Sequence, residues 1–288
     1  MLALLLACTA AAPPSELPSE TADTALEEVD TADTASPDQD LSEAGPHSVN
    51  ARSQSVTASC EIELERFTPE EVTNPPLVIL SHGFARDRKN MVEMGEHLAT
   101  WGFDVAVPTL CNLGFTNTDH PQNGIDLVTL AEALGGSPLY VGYSAGGLAS
   151  ALAANQDSSA RGLVGLDPVD SEDLGLTVAG SVPQLGLFSE SSACNASNNG
   201  VPWFQTGEAL RVTDANHCDF EGPTDQLCTL VCASGSSSPD PLRQEVVWAM
   251  TTAAVLGLNG DTQILADWWH PDGERYEAFH SQGRISEP

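Results

Sequence analysis

Leu139-Tyr140-Val141-Gly142-Tyr143-Ser144-Ala145-Gly146-Gly147 is the stretch on which the reading of this chain turns. A β-prone run ends in Gly-x-Ser-x-Gly, and small residues from Leu148 to Ala154 follow at once. That order predicts a strand, a tight turn and a helix, with the serine hydroxyl lifted clear of a sheet at the turn. Glycines 142 and 146 suit so sharp a turn, because a Cβ at either place would strike the neighbouring strand or helix. The pentapeptide is short enough to arise by chance, so its surroundings carry the reading.

Upstream, Pro76 to Leu80 reads as a fully buried strand running into Ser81-His82-Gly83-Phe84. In that arrangement the backbone N–H groups of Phe84 and Ala145 would converge on one point about 3 Å from each donor, as an oxyanion hole requires. Downstream, Arg161 to Leu166 is a short apolar strand ending at Asp167-Pro168-Val169-Asp170. Pro183 to Phe188 ends at Ser189-Glu190, and Ala209 to Thr213 opens into Asp214-Ala215-Asn216-His217-Cys218-Asp219-Phe220. Serine, acid and histidine thus follow one another just past the ends of strands, the edge at which open α/β sheets bind ligands. Ser144 is the candidate nucleophile and His217 the candidate base. The acid is Asp167, with Glu190 as the alternative and Asp170 a more distant one.

The remaining pattern alternates strands and helices. Gln54 to Cys60 and Glu61 to Phe67 alternate polar and apolar residues as edge antiparallel strands do. Helices at 88–100, 124–134 and 241–257 interleave with strands at Phe103 to Val107, Pro138 to Val141 and the runs named above. Alternation of this kind predicts an α/β fold: a mostly parallel central sheet covered by helices on both faces. His97 falls on the apolar face of the first helix and reads as a packed or surface histidine. His47 lies in the tether, His120 in a polar loop, and His270 and His280 in a C-terminal strap around Trp268-Trp269-His270-Pro271. Only residues 168–181 separate two successive strands, too few for a large lid, so Ser144 is expected in an open cleft.

The 288 residues fit one large domain with a tail, and the formal net charge is −31. Such a surface suits neither nucleic acid nor anionic lipid. The opening Met1-Leu-Ala-Leu-Leu-Leu-Ala-Cys8 is too short to span a bilayer. It resembles the end of a bacterial lipoprotein signal, residues 1–8, in which Cys8 is lipidated; the usual positively charged start is missing. Residues 9–47 are rich in Ala, Thr, Ser, Pro, Asp and Glu, repeat Thr-Ala-Asp-Thr-Ala at 21–25 and 31–35, and lack aromatic residues. They cannot bury enough apolar surface to offset ordering, and read as a disordered acidic tether before a folded domain at 48–288. Membrane association is expected through the N-terminal lipid alone.

Of the seven cysteines, six remain beyond Cys8. In an exported chain they suggest up to three disulfides. A Cys194–Cys218 bridge is expected, because it would tie the loop after Glu190 to the histidine loop. Zinc competes on ligand type, since Cys228-x3-Cys232 accompanies His217 and Cys218, but the spacing fits no common zinc pattern. No metal is expected.

Taken together, Ser81-His82-Gly83-Phe84, Gly142-Tyr143-Ser144-Ala145-Gly146-Gly147, Gly165-Leu166-Asp167-Pro168-Val169-Asp170 and His217-Cys218-Asp219-Phe220 resemble the α/β-hydrolase superfamily. The resemblance covers roughly residues 55–258. It lies closest to the group of chlorophyllases, platelet-activating-factor acetylhydrolases, dienelactone-hydrolase-like proteins and bacterial polyester hydrolases. It implies an α/β-hydrolase fold and a cofactor-free serine esterase, with a Ser144-His217-Asp167 triad and Phe84 and Ala145 as oxyanion donors. Ala145 departs from chlorophyllases, and most of the superfamily takes the acid from the next strand, where Glu190 stands. A small-molecule or polymeric ester is the implied substrate, and a monomeric enzyme at the cell envelope or secreted is the implied setting. A thioesterase or peptidase using the same triad, or a catalytically silent binding lipoprotein of the same fold, is the competing reading.

Overall fold

A computed structural model describes residues 39–232 and 240–288. Cys8 and most of the acidic tether lie outside the described residues. Strands β1 (Val49–Thr57) and β2 (Glu61–Pro69) form an antiparallel hairpin. There follow β3 (Leu77–Ser81), α1 (Val92–Thr100), β4 (Asp104–Pro108), the small hairpin β5 (Leu113–Gly114) and β6 (Asn117–Thr118), and α2 (His120–Leu134). Next come β7 (Leu139–Tyr143), α3 (Ala145–Gln156), β8 (Gly162–Leu166), α4 (Leu174–Val178), β9 (Gln184–Phe188) and β10 (Ala209–Val212). The chain ends in α5 (Gln226–Cys232), α6 (Pro241–Leu258), α7 (Thr262–Trp269), α8 (Glu274–Ser281) and β11 (Ile285–Ser286).

One nine-stranded sheet runs in the order β1-β2-β4-β3-β7-β8-β9-β10-β11. The pairs from β4 through β10 are parallel; β1–β2, β2–β4 and β10–β11 are antiparallel. The parallel strands are short apolar runs because both faces are covered. Along β3 and β7 alternate residues part to opposite sides: Val78, Leu80 and Val141 join the core under α1, α6 and α7, while Leu77, Ile79 and Tyr140 face α2 and α3. The chain leaves β3 for β4 on one side and returns to β7 on the other, so strand order reverses between β3 and β7. A crevice opens at such a switch point, beyond the carboxyl ends of the strands.

Several boundaries differ from the sequence expectation for identifiable reasons. Helix α2 begins at His120 because Asp119 caps it, accepting from the Gln122 amide, with Pro121 in the first turn. The segment expected as a C-terminal strap is helical: Trp268 and Trp269 end α7 fully buried, α8 follows, and β11 then pairs with β10. Residues 40–47 are packed rather than free. Leu41 is completely buried, its carbonyl lies 3.1 Å from His97 Nε2, and the His47 amide donates to Thr100 O. The folded chain therefore begins ahead of residue 48. Between β8 and β9 stands only the five-residue α4, so no large lid is inserted there.

Candidate active site

Ser144 sits in the turn between β7 and α3 with φ 55° and ψ −124°, a conformation costly for a residue with a side chain. The glycines around it make the turn possible. A Cβ on Gly142 would stand 2.3 Å from Gly146 O, and one on Gly146 would stand 2.2 Å from His82 O. The first turn of α3 is thereby pressed against the end of β3, and the two strand exits share one crevice. Small residues along α3 let it lie this close: Ala145 through Ala154 are all buried.

The histidine and the acid arrive from β10 and β8. His217 opens a short turn of 3-10 helix, His217–Phe220, capped by the Asn216 side chain accepting from the Cys218 amide. Its Nε2 lies 3.0 Å from Ser144 Oγ and its Nδ1 2.6 Å from Asp167 Oδ2. Asp167, at φ 45° just past β8, is fully buried. Its carboxylate also accepts the Ser189 amide (3.0 Å), the Ser189 hydroxyl (2.6 Å) and the Asn195 side-chain amide (3.3 Å). With donors on every side, the carboxylate acts as an acceptor towards Nδ1–H. Nε2 is then the free acceptor for the serine proton.

Glu190 is placed elsewhere. Its side chain is half exposed, 3.9 Å from Arg211 Nε, and accepts from the Asp214 amide at 3.2 Å. Asp170 is committed to structure, accepting from Trp203 Nε1 at 2.7 Å and from the amides of Ser171, Gly175 and Leu176. Of the three acids weighed from sequence, only Asp167 meets the imidazole.

The Phe84 and Ala145 amides have no acceptor within the protein among the described residues. Their turns are adjacent, since a Cβ on Gly83 would stand 3.1 Å from Ser144 Cβ. The loop that carries Phe84 is braced by His82. Its Nε2 accepts from the Leu110 amide at 2.9 Å, and Nδ1 lies 2.8 Å from Gly83 O. Burial pushes this imidazole down to about 4, so it stays neutral and serves as a strut. Phe84 itself is partly exposed, edge-on to Phe115 at 5.2 Å.

Beneath His217 lies Tyr143, with ring centroids 4.8 Å apart. Burial, reinforced by the neighbouring carboxylates, raises this phenol well above its ordinary range, so a neutral ring supports the imidazole. Tyr143, Ser189 and Asn195 were not singled out from sequence. Ser189 stands directly beyond β9, at the same sheet edge as Asp167, and that position is the signal that could have found it. Asn195 carries no comparable mark, because its partner is 28 residues away.

The cleft is tighter than the short β8–β9 connection implies: Ser144 is 6% exposed and His217 5%. The bulk missing between β8 and β9 lies instead in the connection from β9 to β10. There the Asn198 side chain donates to Ser189 O, and Gly200 lies against Pro168.

The disulfides correct the expected Cys194–Cys218 bridge. Cys218 pairs with Cys228, Cys194 with Cys232, and Cys60 with Cys111. The reason is α5, which places Cys228 and Cys232 four residues apart on one side of a helix. Both site-bearing loops are therefore tied to α5 instead of to each other. The sulfurs of Cys218, Cys228 and Cys232 lie within 4.8 Å of one another, but each is consumed in a disulfide and offers no thiolate to a metal.

The result is a mixed α/β protein with a serine, an imidazole and a carboxylate in hydrogen-bonded sequence at its switch-point crevice. No protein-family model matches the chain, and no curated protein is similar enough to it to count as a relative. Three disulfides suit an oxidising, exported environment, and no helix among the described residues is long and apolar enough to cross a membrane.

Proposed function

We propose that this chain is a serine hydrolase of carboxylic esters with an α/β-hydrolase fold. The observation that carries the reading is the row Ser144 Oγ, His217 Nε2, His217 Nδ1 and Asp167 Oδ2, with gaps of 3.0 and 2.6 Å. The strained turn at Ser144 supports it, since backbone strain of this kind is retained where a side chain must be presented.

In this reading Ser144 Oγ attacks the ester carbonyl while His217 Nε2 takes its proton. Asp167 fixes the imidazole tautomer and stabilises the imidazolium that forms. The Phe84 and Ala145 amides receive the oxyanion, each such donor being worth about 3–4 kcal/mol in measured cases. His217 then protonates the departing alcohol. Water, activated by the same imidazole, releases the acid from Ser144, and every proton is returned. A surface-anchored or secreted bacterial enzyme, lipidated at Cys8, is the setting proposed with it.

The test is covalent labelling by an organophosphonate probe together with turnover of short-chain p-nitrophenyl esters. Labelling and turnover that vanish in Ser144→Ala are expected. Wild-type rates no greater than those of Ser144→Ala end the reading.

A further inference from the structure

Two turns carry the Phe84 amide and the imidazole, and no strand pairing joins them. One is Gly83–Arg86, closed by the Arg86 amide donating to Gly83 O at 3.3 Å, and it bears the Phe84 amide. The other is the turn from His217, closed where the Glu221 amide donates to Cys218 O at 3.5 Å. Ala145, by contrast, is held by α3 and needs no such support.

Across the gap between these turns stands a buried pair of opposite charges. Arg86 Nε lies 3.0 Å from Glu221 Oε2; the arginine side chain is 7% exposed and the glutamate 0%. The approach is ionic rather than an aligned hydrogen bond, as Glu221 Oε2 has no donor pointed at it. Glu221 Oε1 accepts from Thr224 Oγ at 2.5 Å, and Arg86 Nη1 reaches Asp225 at 3.2 Å. The planar guanidinium thus fixes its direction at two points, which a lysine could not do. A buried charge pair is a poor source of stability, because desolvation offsets most of the attraction. It is an effective source of geometry.

We propose that Arg86 and Glu221 are positioning residues: their charged tie sets the distance between the Phe84 amide and His217, and so the alignment of oxyanion donor and base. This rests on the esterase reading above. Displacement of a reacting group by about 1 Å costs on the order of 100-fold in rate. Neither residue touches the reacting atoms, so loss of the tie should lower kcat and leave binding of a small ester unchanged.

The decisive variant is Arg86→Met/Glu221→Met, which replaces the pair by apolar side chains of similar length. Such exchanges are often neutral for stability. The fold here keeps independent support, since the Gly222 amide donates to Asn90 O at 2.8 Å and the Glu93 amide to Gly222 O at 3.1 Å. Expected are a thermal midpoint within about 4 °C of wild type, kcat for a short-chain p-nitrophenyl ester reduced roughly 10- to 100-fold, and KM within about twofold. Arg86→Lys, with charge but no fork, is expected at intermediate kcat. A folded double variant with wild-type kcat overturns the proposal. Should that variant not fold, wild-type kcat in Arg86→Lys overturns it equally. Hydrogen exchange of segment 83–87 supplies a readout without turnover: faster exchange there, and not in α6, is expected on losing the pair. Unchanged exchange refutes the tie, whereas wild-type protein lacking Ser144-dependent turnover refutes the esterase reading instead.

Discussion

Ser189 donates both its amide and its hydroxyl to the carboxylate of Asp167, at 3.0 and 2.6 Å, from directly beyond β9, the strand beside the one that Asp167 follows. The acid is thus oriented from the end of the neighbouring strand as well as by the histidine. Held this way, the carboxylate presents Oδ2 to His217 Nδ1 at 2.6 Å.

The acid assignment is open to a direct comparison. Asp167→Asn should lower kcat for p-nitrophenyl esters by about 10³- to 10⁴-fold, because the amide favours the wrong imidazole tautomer. Glu190→Gln should change it less than about twofold, its partners being Arg211 and the Asp214 amide. The reverse outcome would transfer the role to Glu190.

Asn195 is fully buried, and its side-chain amide donates to Ser189 Oγ at 2.8 Å and to Glu190 O at 2.9 Å. Asn195→Leu leaves those acceptors unsatisfied in the interior, at a cost of about 1–3 kcal/mol. Chemical denaturation should show the lower midpoint, and kcat should fall with it as Asp167 gains freedom. Unchanged values of both would remove Asn195 from the site.

The disulfides separate stability from activity. Cys60–Cys111 closes a span of 51 residues, and its removal by paired Cys→Ser substitution should cost up to about 4 kcal/mol while leaving kcat nearly intact. Cys218–Cys228 spans only 10 residues, worth nearer 3 kcal/mol, yet it begins beside His217. Its removal should depress kcat more than the first. Equal effects on kcat would show that the α5 tether does not hold the histidine turn.

Acid should destabilise the fold in a defined window. Burial pushes His82 and His97 down to about 4 from the ordinary 6.5, so both are neutral in the folded protein and take up protons on unfolding. The unfolded chain binds more protons between those limits, hence stability falls as pH drops from about 6.5 to about 4, by up to about 3 kcal/mol per imidazole. Thermal midpoints measured across the range should follow that slope, and His97→Gln should flatten it. The same slope in wild type and in His97→Gln would refute the buried, neutral assignment of His97.

Local chemistry made much of the fold legible. The apolar runs of β3, β7, β8, β9 and β10 announce strands covered on both faces, and Gly142 and Gly146 announce the turn between them. The structure brings Ser144, His217 and Asp167 together because Ser144 and Asp167 directly follow β7 and β8 and His217 lies five residues past β10, all at one edge of the sheet. What escaped depends on partners far along the chain. Asn195 matters through Asp167, Arg86 through Glu221, and Leu41 through α1, and none of these is marked by spacing. The Cys194–Cys218 expectation failed because α5 is a short helix whose exposed Leu227, Leu230 and Val231 give no amphipathic pattern. Without that helix, the choice among pairings had nothing to constrain it.

The three sulfur–sulfur bonds also decide where this polypeptide can mature. Made among cytosolic thiols, it would leave the ribosome with the β1–β2 turn, the Asn195 loop and the imidazole-bearing turn all unfastened. Recombinant yield in a reducing host is therefore a poor gauge of how well the sequence folds, and an oxidising compartment is part of its assembly.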